Sequence, residues 1–130
     1  MIVIDTSAWV DYLHDKEQVS PVGREVASLI RERQAATTGM VLAEVMQGAL
    51  DEADYQSLFL TVGRLPFVEA DKEAWISAGR WSYELRRRGL ATPLSDLLIA
   101  AAAIRAGHAV YATDPHFERV EGLELHQTRH

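Results

Sequence analysis

Apolar positions along this chain follow two rhythms. Ile2-Val3-Ile4 is a short, unbroken, β-branched run, and further short stretches without helical spacing occur at 35–38, at Leu65-Pro66-Phe67-Val68 and at Ala109-Val110-Tyr111-Ala112. Such runs read as strands, and one without polar alternation reads as a strand covered on both faces. Ile2-Val3-Ile4 therefore belongs in the middle of a parallel sheet. Between the runs, apolar residues return every three or four positions, the period of a helix. Trp9, Val10 and Leu13 mark a helix over 7–14, with Thr6 or Ser7 as its cap. Val26, Leu29 and Ile30 mark one that opens at Ser20-Pro21 and runs to about 33. Val41, Val45 and Met46 mark a helix over 39–47, and Tyr55, Leu58, Phe59 and Val62 one over 51–63. Asp71 caps a long helix to about 88, with Trp75, Ala78, Trp81 and Leu85 at core spacing and Gly89 at its end. The helix over 97–106, opened by Ser95 or Asp96, is apolar nearly all round and is expected to be buried. Leu123 to Leu125 is expected as an edge strand, and the last few residues as a loose end. Strands alternating with helices predict an α/β domain, with a mostly parallel central sheet of four to five short strands flanked by helices.

Length and composition narrow this picture. At 130 residues the chain is expected to form a single domain over 1–130. A chain of this size buries about two thirds of its unfolded surface, which makes a structural metal or disulfide unnecessary for stability. The absence of cysteine removes thiolate catalysis and zinc–thiolate sites, and fits a reducing, cytoplasmic setting. No run approaches the ~20 apolar residues of a membrane span, and no basic leader precedes an apolar stretch. The net charge of −6 argues against non-specific coating of nucleic acid. It does not argue against a metal-dependent nuclease, in which a cation offsets clustered carboxylates.

Four acidic residues stand where solvation is poor. Asp5 ends the central strand, and Glu44 lies among Val41, Leu42, Val45 and Met46. Asp96 opens the most apolar helix, and Asp114 follows the strand that ends at Ala112. In open α/β sheets, ligands gather beyond the carboxyl ends of the strands, where Asp5 and Asp114 emerge together if those strands are parallel. Each residue also has a plain structural account: Asp5 and Asp96 as helix caps, Asp114 as a turn former, Glu44 as a solvated helix residue. Four such coincidences at one sheet edge are harder to accept than one site. Unpartnered buried carboxylates are costly and mutually repulsive, and a divalent cation relieves both problems. An all-oxygen donor set selects a hard ion, Mg²⁺ or Mn²⁺.

Asp5-Thr6-Ser7-Ala8-Trp9, Glu44 in its apolar helix, Leu94 to Ala101, and Thr113-Asp114-Pro115-His116-Phe117 together resemble the PIN-domain nucleases, and most closely the toxin ribonucleases of the VapC type. The resemblance spans the whole chain and implies a lone PIN domain with a parallel sheet between helices. It implies that Asp5 and Asp96 are metal ligands, with Glu44 and Asp114 as the third and fourth acidic positions. Thr6, Ser95 and Thr113 stand beside these carboxylates and are expected to support them. One departure is visible: such proteins commonly carry Thr or Ser two residues before the last Asp, where this chain has Ala112. The resemblance further implies RNA as substrate, a homodimer, and an antitoxin seated in a groove between neighbouring helices.

Two other readings compete. A phosphatase with Asp5 as nucleophile would usually need a second Asp two residues on, where Ser7 stands. A catalytically inactive PIN-like binding module would not need four acidic residues. Arg80, Arg86, Arg87 and Arg88 form the densest basic cluster, either complementing a helix C-terminus or contacting an RNA backbone. The five histidines show no ligand-like spacing, and His116 reads as a turn residue.

Overall fold

The fold is taken from a computed structural model that describes residues 1–129. Its strands are β1 (Ile2–Ile4), β2 (Ala35–Thr38), β3 (Phe67–Val68) and β4 (Ala109–Tyr111). Its helices are α1 (Thr6–His14), α2 (Pro21–Arg31), α3 (Gly39–Gln47), α4 (Glu52–Thr61), α5 (Lys72–Arg87) and α6 (Leu94–Ala106), followed by a 3₁₀ turn at Pro115–Arg119. The four strands form one sheet in the order β3-β2-β1-β4, with every pairing parallel. β1 occupies the interior position its unbroken Ile-Val-Ile run demands, and Val3 and Ile4 are fully buried. The register sets Ile4 beside Tyr111, and the Asp5 N–H continues the ladder to the Tyr111 carbonyl at 2.9 Å. The carboxyl ends of β1 and β4 are thus adjacent, and both lead into acidic residues.

The expected edge strand at 123–125 is reduced to a single parallel bridge between Val110 and Leu125. The last described residues, up to 129, are also not loose. Thr128 Oγ1 lies 2.6 Å from the Tyr111 hydroxyl, and Arg129 pairs with Glu25 and Glu32 at 2.7 and 2.9 Å. α2 stops at Arg31 rather than 33, because Arg33 adopts a left-handed backbone (φ 56°) that redirects the chain into β2. In α5 the inward stripe is Ala74, Ala78 and Leu85, so the expected phase is off by one at its start. Trp75 is 54% exposed. In α4, Leu58 faces the core while Tyr55 and Phe59 stay in solvent. α6 is buried from Leu97 to Ala103, and its run of alanines lets α5 pack closely along it. Among the described residues no helix is long and apolar enough to cross a membrane.

Candidate active site

Asp5 is 3% exposed and sits between β1 and α1. It is the N-cap of α1, its Oδ2 accepting from Ser7 N at 3.0 Å and Ser7 Oγ at 2.7 Å. The cap is therefore Asp5, not Thr6 or Ser7, and the same carboxylate faces the sheet edge. Capping and site membership are not alternatives here. Ser7 Oγ also accepts from Thr113 N at 3.0 Å, tying α1 to the segment after β4. Ser7 was absent from the expected support set, although its place two residues after a strand-ending Asp fits such a bond. Thr113 joins the network through its backbone, so the displaced hydroxyl at Ala112-Thr113 is bypassed.

Asp96 lies in the first turn of α6, but it does not cap that helix. α6 begins at Leu94, after Pro93, with no side-chain cap. The Asp96 carboxylate turns instead toward His116, with Oδ2 3.0 Å from His116 Nδ1. Asp114 caps the 3₁₀ turn by accepting from His116 N at 2.9 Å. This closes the Asp-Pro-His turn so that the imidazole folds back, placing Nδ1 3.0 Å from Asp114 Oδ1 as well. Ligand atoms of Asp96, Asp114 and His116 lie within 4.8 Å of one another. His116 is thus more than a turn residue. The signal for it was local: a residue two places after a turn-forming Asp returns to that Asp.

Asp5 stands outside this closest group but within electrostatic reach of it. Burial pushes the Asp5 carboxyl above the usual range against its bonds to Ser7 and Thr6, and the charge of Asp114 adds to the rise. Asp96 is also raised, first by burial and then by the charges of Asp5 and Asp114, with the His116 bond opposing. Desolvation, rather than repulsion between carboxylates, is the leading cause in both. Glu44 on α3 is half-buried and joined to the group through Thr6, whose Oγ1 donates to Glu44 Oε1 at 2.9 Å. Ser95, half-buried beside Asp96, makes no hydrogen bond to the carboxylates among the described residues. Arg86, Arg87 and Arg88 are exposed at the end of α5, and Arg87 lies over the Tyr83 ring at 5.7 Å. No ion pair joins these arginines to the carboxylates among the described residues.

The donor set fits a divalent cation. The bonds to Asp5, Asp96 and Asp114 just described converge on one oxygen of each carboxylate, and like charges have gathered where desolvation already disfavours them. Parallel α/β topology, with acidic residues collected at the carboxyl edge of its central strands, defines a class of hydrolytic metal sites. The PIN domain family model matches residues 2–123, and the chain belongs to that family. Ribonuclease VapC11 of Mycobacterium tuberculosis is 35% identical over 122 residues, covering 91% of this chain and 90% of that protein. Ribonuclease VapC1 of Methanocaldococcus jannaschii is 27% identical over 128 residues, covering 96% of this chain and 86% of that protein. VapBC2 from Rickettsia felis, solved bound to a DNA fragment from its promoter, is similar in fold. The match has a TM-score of 0.76 at 26% identity and covers 97% of this chain and 98% of that one. VapBC-1 from nontypeable Haemophilus influenzae shares the fold at a TM-score of 0.78 and 18% identity, over 98% of each chain.

Proposed function

We propose that this chain is a single PIN domain over 1–130 acting as the toxin of a toxin–antitoxin pair, a Mg²⁺- or Mn²⁺-dependent endoribonuclease of the cytoplasm. The observation that carries the reading is the convergence of Asp5, Asp96 and Asp114 at the carboxyl edge of β1 and β4, with Glu44 tied in through Thr6. The VapC ribonucleases of similar sequence support the activity.

Asp5, Asp96 and Asp114 would hold the cation, and their charge makes the site selective for one. The chemistry the cation supplies is acidification of water and neutralisation of charge on the scissile phosphate. Ser7 keeps Asp5 and the backbone after β4 in fixed relation, so the ligands need little reorganisation. Glu44, oriented by the Thr6 hydroxyl, would be the residue to accept a proton from water. Arg86, Arg87 and Arg88 stand just before the loop that leads to Asp96, where they would meet the RNA backbone.

A groove of about 560 Å³ is lined by Val10, Leu13, Val45, Leu50 and Leu58, and by Thr6 and Glu44 of the candidate site. An apolar antitoxin segment would occupy it, and a basic side chain at its end would block the carboxylates. The partner is a VapB-like protein, as in the VapBC assemblies that share this fold.

Cleavage of single-stranded or looped RNA tests the activity. Asp5→Ala and Asp96→Ala are each expected to reduce cleavage to background, and excess chelator to do the same to the unaltered protein. Full cleavage in chelator would overturn the metal mechanism.

A further inference from the structure

We propose that His116 Nδ1 is a direct ligand of the cation beside the aspartates, giving a mixed oxygen and nitrogen donor set that prefers Mn²⁺ over Mg²⁺. The inference rests on the reading of Asp5, Asp96 and Asp114 as the cation site and adds a nitrogen donor to it. Nδ1 lies 3.0 Å from Asp96 Oδ2 and 3.0 Å from Asp114 Oδ1. Two ligand atoms at right angles around an octahedral ion, each ~2.1 Å from it, stand about 3 Å apart. In the metal-free protein this is hydrogen-bond spacing, with Nδ1–H between the two carboxylates; replacing that proton by one ion would leave the same three atoms as neighbouring ligands with little movement. The spacing is set by the backbone, because the Asp114 carboxylate accepts the His116 N–H and fixes the turn that returns the imidazole. Phe117, 1% exposed, anchors the following residue in the core, so the turn cannot easily swing away.

Imidazole is a softer donor than carboxylate or water. It binds every divalent ion of the first transition row better than Mg²⁺, which prefers oxygen and keeps its waters; Mn²⁺ gains least among those ions but still gains over Mg²⁺. A site of carboxylates alone would bind the two ions with similar ligand chemistry. Adding Nδ1 tilts the balance toward Mn²⁺.

The test uses the untagged full chain, stripped of metal and loaded with Mn²⁺ alone. Pulsed electron paramagnetic resonance detects ¹⁴N coupled to a bound Mn²⁺ ion, and a directly ligated imidazole is expected in the wild-type spectrum. That measurement needs no variant. His116→Asn and His116→Ala are then expected to abolish the nitrogen coupling. They should also lower the Mn²⁺-over-Mg²⁺ affinity ratio, read by displacement titration, on the order of tenfold. Mn²⁺ that binds tightly, is lost in Asp96→Ala and shows no nitrogen coupling would overturn the His116 assignment and leave the carboxylate site standing. Mn²⁺ that binds equally well to wild type and Asp96→Ala would overturn both.

Discussion

A carboxylate that is buried near others of its kind is held at a cost the fold must carry. Asp5 and Asp96 both titrate above the ordinary carboxylate range, chiefly because burial penalises their charged forms. For a raised folded-state pKa the linked stability is complete below the unfolded value of about 3.9. It is lost as pH rises through the folded value. Without metal, this pair therefore destabilises the protein at neutral pH, and a divalent cation bound by the native state would offset the loss. Asp96→Asn removes one charge at almost constant volume, and no helix cap is lost, because α6 begins without a side-chain cap. The variant is expected to raise the metal-free melting temperature by about 3–5 °C at pH 7, on the order of 1 kcal/mol, and to shrink the gain from Mg²⁺. Thermal melts with chelator and with Mg²⁺ check this. Identical curves for both proteins in both conditions would remove Asp96 from any charged cluster.

At the scale of elements, residues 125–129 act as a strap across α2 and β4. Glu25 points inward from α2 and is 4% exposed. It receives His126 Nε2 at 2.7 Å, Arg129 Nε at 2.7 Å and Arg129 N at 3.2 Å. Burial works against the charged Glu25, but the bonds from His126 and Arg129 together outweigh it, and its carboxyl is held below the usual range. The sign is opposite to that of Asp5: this contribution is present above the unfolded value of about 4.3 and is lost as pH falls through the folded one. Glu25→Gln keeps the volume and loses the charge, and is expected to cost about 1–3 kcal/mol at pH 7. Urea unfolding measures the loss, and amide exchange should rise over 125–129 while β1 stays protected. Unchanged exchange across the strap would mean that Glu25 does not secure it.

For the whole molecule, apolar surface is left over after the core is filled. Met40, Phe67, Trp75 and Leu98 line a second hollow between α3, β3, α5 and α6, with Phe67 51% and Trp75 54% exposed. A face of this kind rarely stays bare on a soluble monomer, and pairing with a second copy would cover it. A homodimer is expected by light scattering at micromolar concentration, and Trp75→Glu is expected to shift it toward monomer without unfolding it. A wild-type monomer at that concentration would rule out pairing through this face. The groove proposed for the antitoxin lies elsewhere, between α1, α3 and α4. Trp75→Glu should therefore leave antitoxin binding intact, which a pull-down with the cognate partner would read.

Much of this was written in the local sequence. The β1 run points to an interior strand because its apolar, β-branched residues favour burial on both faces, and Ser20-Pro21 and Asp71 set helix starts through local side-chain bonds to the backbone. The carboxylates stood out because each followed a strand or interrupted an apolar helix, where a charge is costly to bury, although Asp5 and Asp114 also cap the elements they open. What only the tertiary structure decided were relations between distant segments. The phase of α5, which leaves Trp75 outside, depends on how α5 lies against α6, and spacing within one helix cannot supply that. The docking of the strap on Glu25 joins residues 101 apart in the chain. His116 meets Asp96 across twenty positions, through a turn whose direction is set by Asp114 and by the packing of Phe117. Local sequence chooses elements because their bonds are short-range, whereas the meeting of side chains depends on how those elements pack.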